Sequence, residues 1–379
     1  MPTNVNSKAR SPNPLVSFVV PCYRFAHVLP ECVNSILQQT YQNFEILIMD
    51  DCSPDNTPEV AKSFQDPRVR HIRNEPNLGH LRNYNKGIEL AQGKYVWLIS
   101  ADDRLRRPYV LARYVELMER RPEVSYACCP AVEIKKGQEF NIAQYSVVAD
   151  RDTVFKGRDF LKKLRRSDCV IAGSGMVRKS CYERLGAFPL DMPYAGDWYM
   201  WCLFALHHDV AYFAEPMVNY RIHELSMSNT LREKDVRIYP RDRVALFCRV
   251  AHKAEEAGAP RIARSYRQRL ISEYVELMTT HKPAVAPLLS FQDFEEALTR
   301  DAASQSEAQW IRSRVYAGVA DRYFMQRQLG RAAEFYRLAI REDPRLMKAR
   351  VKSLLLHTGP VGIAIRDVAF GIRQSLTEN

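Results

Sequence analysis

An apolar run, Tyr95-Val96-Trp97-Leu98-Ile99, leads straight into Ser100-Ala101-Asp102-Asp103. Short apolar runs rich in aromatic and β-branched residues read as strands buried on both faces. Two carboxylates at the end of such a strand must emerge at the rim of its sheet. In open α/β folds ligands bind at that rim, outside the carboxyl ends of the strands. Paired hard oxygens there suit Mg²⁺ or Mn²⁺ and, through the cation, the phosphates of a substrate. Asp-Asp also opens turns, so one pair alone says little. A second apolar strand, Phe44-Glu45-Ile46-Leu47-Ile48-Met49, ends the same way, in Asp50 and Asp51.

The surrounding pattern alternates strand and helix. Val16–Val20 reads as a strand and Leu29–Gln39 as a helix with Cys32, Val33, Ile36 and Leu37 on one face. The turn Ser53–Pro58 starts a second helix, Arg68–Ile72 is a short strand, and Asn83–Ala91 is a helix stopped by Gly93. After the strand at 95–99, a helix follows Pro108 to about Arg120. This order predicts an α/β fold, a mostly parallel sheet with helices on both faces. Residues 127–230 are mixed, with a strand at Gly173–Val177, an almost wholly apolar helix at Trp198–His207, and late strands at 211–213 and 218–221. Beyond about 230 only helical patterns remain. The expected domains are 14–228 (α/β) and 229–379 (all-α).

In the helical part Tyr316, Val319, Ala320, Tyr323, Ala332, Tyr336, Ala339 and Pro344 fit one tetratricopeptide-like helix pair. A single copy equally suits an ordinary helical hairpin. In the tail, Val361, Ile365, Val368 and Ile372 recur at helical spacing, with Arg366 and Arg373 on another face. Such a tail suits an anionic membrane surface, or packs on the preceding helices.

The 379 residues suffice for two domains, and 46% hydrophobic with 26% charged content is that of a globular protein. Nine cysteines without a Cys-x-x-Cys pair read as reduced thiols of a cytoplasmic protein. No leader peptide is expected from the polar stretch Met1–Pro14, and no run reaches the ~20 apolar residues of a membrane span. Residues 231–379 carry 26 Lys and Arg against 18 Asp and Glu, most of the net +11. That excess suits an anionic surface (lipid, nucleic acid or a partner) or a solvated helix surface.

Five motifs then fall in order. They are Val20-Pro21-Cys22-Tyr23, Ile48-Met49-Asp50-Asp51-Cys52-Ser53, Asn77-Leu78-Gly79 with Arg82-Asn83, Ser100-Ala101-Asp102-Asp103, and Gly196-Asp197-Trp198. Over roughly residues 14–225 the chain resembles a family 2 glycosyltransferase of the inverting, bacterial polysaccharide type, with the Rossmann-like GT-A fold. The resemblance implies a nucleotide-sugar donor, UDP-linked by analogy, and Mn²⁺ or Mg²⁺. It implies that Pro21, Tyr23, Asp50, Asp51, Arg82 and Asp102 surround the nucleotide, Asp51 receiving the base N–H. It implies Asp103 and His223 at the metal and Asp197 as the general base. Chemistry supports the last: a carboxylate in a helix first turn is favoured as an ion, while burial beside Trp198 and Trp201 raises its basicity. Asp197 also reads as a helix N-cap, and Asp50-Asp51-Cys52-Ser53-Pro54 as a turn.

The implied acceptor is a hydroxyl of a glycan or a lipid-linked molecule. An anionic membrane surface joins the expected partners, and nucleic acid does not. The Gln-x-x-Arg-Trp motif of processive synthases is missing, which favours single transfers. Two other classes compete. A sugar nucleotidyltransferase or dinucleotide oxidoreductase needs a glycine-rich first loop, and Pro21–His27 has no glycine. A non-catalytic helical-repeat adaptor with a degenerate first domain has no need of Asp51, Asp102, Asp103 and Asp197.

Overall fold

The computed structural model describes residues 14–279 and 290–357. The chain divides into two compact units, Met1–Lys234 and Asp235–Asn379. The helix Met227–Lys234 spans the expected boundary at 228/229 and falls in the first unit.

The strands of the first unit are β1 (Val16–Cys22), β2 (Phe44–Asp50), β3 (Val69–Arg73), β4 (Tyr95–Leu98), β5 (Arg104–Leu105), β6 (Val124–Cys128), β7 (Ala131–Lys135), β8 (Gln138–Ile142), β9 (Thr153–Phe155), β10 (Met176–Arg178), β11 (Asp209–Tyr212) and β12 (Val218–Arg221). Its helices are α1 (Leu29–Leu37), α2 (Thr57–Ser63), α3 (His80–Leu90), α4 (Val110–Arg120), α5 (Gly157–Leu164), α6 (Lys179–Leu185), α7 (Gly196–His207) and α8 (Met227–Lys234).

One sheet has the order β3-β2-β1-β4-β10-β6-β11-β9. Its first four strands are parallel, as the alternating pattern predicts. Beyond them the sheet is mixed: β10 runs antiparallel to both β4 and β6, and β9 antiparallel to β11. A second sheet, β5-β12-β7-β8, contains the expected strand 218–221 as β12, while its other three strands have no counterpart in the sequence reading. The stretch 173–177 also differs from expectation. Ala172–Ser174 forms a tight 3-10 turn, and the strand begins only at Met176.

Register explains where the site lies. Cys22 pairs with Asp50 and Val19 with Leu98, so β1, β2 and β4 end at one edge. Every residue of β1 and β2 is buried, so no strand position accepts a solvated charge, and the four aspartates gather at that edge. Leu29, Cys32, Val33 and Ile36 form the buried face of α1. In α7 burial goes all round, with ten of twelve residues inside. A helix without a solvent face is held in place by packing, and that fixes its first turn.

The second unit contains α9 (Ile238–Glu256), α10 (Pro260–Thr279), α11 (Phe291–Asp301), α12 (Gln305–Met325), α13 (Leu329–Glu342) and α14 (Met347–His357). Tyr316, Val319, Ala320, Tyr323, Ala332, Tyr336 and Ala339 are all buried in it. The stripe from Val361 to Ile372 lies outside the described residues. No described helix is long and apolar enough to cross a membrane. All nine cysteines are free.

A part-buried ion cluster joins three of these helices. Glu307 bonds His252 Nε2 and Arg267 Nε, each at 2.7 Å, and accepts the Ala303 N–H at 2.8 Å. Burial opposes its charge, but the bonds from His252, Ala303 and Arg267 outweigh burial and hold its pKa at about 2. A depressed carboxylate stabilises the fold above its unfolded pKa and loses that effect as pH falls through the folded one. Melting temperature is therefore expected to drop between pH ~4.5 and ~2, a linkage on the order of 3 kcal/mol. Glu307→Gln should be less stable at pH 7 and flatter over that interval. Parallel melting curves for parent and variant from pH 7 to 3 would sink this assignment.

Candidate functional site

The rim begins with the loop after β1. Pro21 is buried inside the strand, and its carbonyl accepts the Ala101 N–H at 3.1 Å. Tyr23 follows, 40% exposed, with the Arg24 guanidinium 5.3 Å from its ring centre. Arg24 has φ +63°, uncommon outside glycine. The loop is tied to the neighbouring rim by Arg24 N to Ser53 Oγ at 3.2 Å and Ala26 N to Asp55 Oδ2 at 3.1 Å.

The two aspartates after β2 have different surroundings. Asp50 is fully buried. It accepts from Ser53 N at 2.8 Å and Arg73 Nη1 at 2.7 Å, and lies 3.2 Å from His71 Nε2. Burial opposes its charge, yet the Ser53 N–H and Arg73 hold its carboxyl below the ordinary value. The sequence reading puts Asp50 at the nucleotide; the structure engages its Oδ2 in a cross-strand anchor to β3 and its Oδ1 with the Ser53 N–H of the following turn.

Asp51 organises the loop before α3. Its Oδ1 accepts from Asn74 Nδ2 at 2.9 Å and Leu78 N at 2.8 Å, and its Oδ2 from Gly79 N at 2.9 Å. Asn77 Nδ2 donates to the Asp51 carbonyl at 2.6 Å. Gly79 has φ +78°, which only glycine adopts without strain. Asn74 also donates to Asn83 Oδ1 at 2.8 Å and accepts from Lys86 Nζ at 2.7 Å. Arg82 is exposed on the first turn of α3.

Asp102 and Asp103 sit where β4 turns into β5. Asp103 Oδ1 accepts the Arg221 N–H at 3.0 Å. Burial, then Asp102, push its carboxyl well above the usual carboxylate range. Asp102 Oδ2 lies 2.9 Å from His223 Nε2, while its Oδ1 is buried without a partner. His223 meets Phe25 edge to face at 5.3 Å. A Cβ at Gly173 would stand 2.9 Å from Asp103 Oδ2, so only glycine leaves that oxygen clear. Trp97 Nε1 fixes the glycine by donating to its carbonyl at 2.8 Å.

Asp197 lies in the first turn of α7, but Ala195 is the N-cap. This corrects the capping alternative for Asp197. The Trp198 N–H donates to Asp197 Oδ1 at 2.7 Å, and Trp198 Nε1 to the Leu164 carbonyl at 2.9 Å. The preceding loop is clamped to α3. His80 Nε2 lies 2.9 Å from the Pro193 carbonyl, and the Asn85 amide bonds both N and O of Phe188 at 2.9 Å.

The carboxylates converge. Tyr84 and Tyr220 phenols are pushed up by burial first, and each also by Asp102, Asp103 and Asp197. Acids from two distant parts of the chain thus act on the same two rings. Among the described residues no three His, Cys, Asp or Glu side chains form a ready-made metal cage. The sequence reading omits Asn74, His71 and Arg73, which fix the acids.

Residues 17–186 match the family model described as glycosyl transferase family 2. Glycosyltransferase GlyG of Streptococcus pneumoniae is 39% identical over 112 residues, covering 29% of this chain and 37% of that protein. Glycosyltransferase GlyA of the same organism is 24% identical over 305 residues, 78% of this chain and 42% of the relative. An uncharacterized glycosyltransferase of Haemophilus influenzae is 29% identical over 217 residues, 55% of this chain and 66% of the relative. The chain therefore spans less than two thirds of these relatives' lengths. In fold it resembles S. aureus TarS 1–349, with a TM-score of 0.57 at 14% identity, over 86% of this chain and 89% of that one. Residues 17–186 are thus similar in sequence to glycosyl transferase family 2, and the fold is of the GT-A type.

Proposed function

We propose that the protein is an inverting, metal-dependent glycosyltransferase that moves a sugar from a nucleotide-sugar donor to a hydroxyl of a glycan or lipid-linked acceptor. The observation that carries this is the pair Asp102 and Asp103 at the end of β4, where Asp102 Oδ1 is buried without a partner while Oδ2 is held by His223. The fold neighbour TarS is described in complexes with UDP and with UDP-GlcNAc, which favours a UDP-sugar.

In this reading the nucleoside lies over the ends of β1 and β2, beside Tyr23 and Arg82. Asp51 holds the loop 77–79 and meets the base with a remaining lone pair of Oδ2. Asp50 acts by anchoring β2 to β3 and by holding the turn at Ser53. Asp102 Oδ1, buried and unpartnered, and Asp103 fit a hard divalent cation shared with a diphosphate, since Mg²⁺-type sites use one or two carboxylates plus substrate phosphates. His223 orients Asp102. Mn²⁺ or Mg²⁺ bound there supplies Lewis-acid neutralisation of the leaving diphosphate. Asp197 takes the proton of the acceptor hydroxyl, which attacks the anomeric carbon as the nucleoside diphosphate departs. No covalent enzyme intermediate forms.

Asp103→Ala is expected to weaken UDP binding about tenfold or more with Mn²⁺ and little without it, because the cation joins the carboxylate to the phosphates. Calorimetry of UDP with and without Mn²⁺ is the check. Equal metal dependence in variant and parent would remove Asp103 from the metal.

A further inference from the structure

The helix α14 turns its apolar side to water. Met347, Val351 and Leu354 recur there at i, i+4 and i+7 and are 64%, 51% and 67% exposed. A helix of a globular protein hides such a stripe and shows its polar side. Here the order is reversed. The side turned to the rest of the unit carries Ala349 and Ser353, both buried, and Lys352, whose Nζ bonds both oxygens of Asp321 at 2.7 Å. A cleft of about 410 Å³ lies beside the stripe, lined among the described residues by Ile340 of α13 and by Arg350, Ser353 and Leu354.

Cations rim this stripe. Helical spacing places Lys348 and Arg350 on its two sides. Both are exposed, as are Arg337 and Arg341 of α13 and Arg345 of the turn between the helices. The neighbouring acids are engaged elsewhere: Glu342 with Arg312, Asp343 with Arg314 and Asp321 with Lys352. From 331 to 356 Glu334 is the single exposed acid. Among the described residues none of the five cations named has an ion-pair partner.

An exposed apolar patch with a charged rim marks a contact surface. The sign of the rim selects the partner. A second copy of this surface would bring cations against cations. Residues 358–379 hold two basic and two acidic side chains, so they offer no excess of negative charge. An anionic lipid surface meets both parts of the patch. Acyl chains take Met347, Val351 and Leu354, and headgroup phosphates take the cations. The long stems of Lys348 and Arg350 let their charges stay at headgroup level while the stripe sinks below it.

We propose that α14, with the end of α13, docks the second unit on an anionic membrane surface, Met347, Val351 and Leu354 inserting between lipids and Lys348 and Arg350 binding their headgroups. This surface belongs to the second unit alone and acts whether or not the first unit transfers sugar. On the glycosyltransferase reading it brings the enzyme to the place where a lipid-linked acceptor resides.

The test is vesicle co-sedimentation of the full chain. It should sediment with phosphatidylcholine vesicles containing about one quarter phosphatidylglycerol, far less with pure phosphatidylcholine, and less as salt rises. Val351→Glu with Leu354→Glu should weaken that binding about tenfold or more, since two apolar side chains leave the lipid and two anions face it. Lys348→Gln with Arg350→Gln should weaken it about tenfold or more through lost headgroup attraction alone. All four positions are exposed, so Tm and UDP affinity should match the parent in both variants. The proposal is overturned if the parent ignores the anionic vesicles, if it binds neutral ones equally, or if either variant binds like the parent. A lowered Tm in Val351→Glu with Leu354→Glu overturns it too, because the stripe is then covered within the protein, by residues 358–379 or by a second copy.

Discussion

Asp197→Asn is expected to cut sugar transfer by roughly a hundred- to ten-thousand-fold, the usual contribution of a positioned general base. The amide has the size of the carboxylate, and its oxygen can still accept the Trp198 N–H now bonded to Asp197 Oδ1. The packing of α7 does not change, because its buried side chains and the Trp198–Leu164 bond lie elsewhere. Donor affinity and melting temperature should therefore stay at the parent values while turnover disappears. Single-turnover transfer with calorimetry of UDP on the same preparation separates the two. Near-parent turnover excludes Asp197 as the base, and a large loss of UDP affinity shows a structural role instead.

Asp51→Ala should have the largest effect on structure and donor binding together. The change strands three donors, Asn74 Nδ2, Leu78 N and Gly79 N, at a residue only 3% exposed. Leaving buried donors unpaired costs about 3 kcal/mol here, with water reaching some of them. For a unit of this size that is a fall in Tm of roughly 10 °C. The loop 77–79 also leads into α3, which clamps the loop before Asp197 through His80 and Asn85. UDP binding should fall below detection while the far-ultraviolet circular dichroism stays folded. A Tm within about 2 °C of the parent, with UDP binding retained, would contradict the role given to this carboxylate.

Asp50 and Asp51 show where sequence reasoning stops. As letters they are equivalent, and both end an apolar strand. Successive positions of a strand point to opposite faces, and the fold gives one to Arg73 and His71 and the other to the loop before α3. Nothing local to residue 50 announces a partner twenty-three residues away. The same holds for the second sheet. Its strands are two to five residues long, and β5 pairs with β12 across more than a hundred residues. Short strands carry little periodicity, and long-range pairing leaves none. By contrast β1, β2 and β4 are mostly apolar runs, broken only by Ser17, Glu45 and the closing Asp50, and their order with α1 to α3 implies the parallel half of the sheet without further information. The mixed half departs from that pattern because β10 enters antiparallel between β4 and β6.

The central claim is that a nucleotide sugar is activated at the carboxyl edge of this sheet. It is tested most directly by incubating the full chain with UDP-GlcNAc and other UDP-sugars in Mn²⁺ and following the release of UDP, with and without a glycan acceptor. The expected result is release that a chelator stops and that Asp197→Asn lacks, although that variant binds UDP as the parent does. Release unaffected by both chelator and substitution, or a chain that neither binds UDP nor releases it from any donor, would contradict the account.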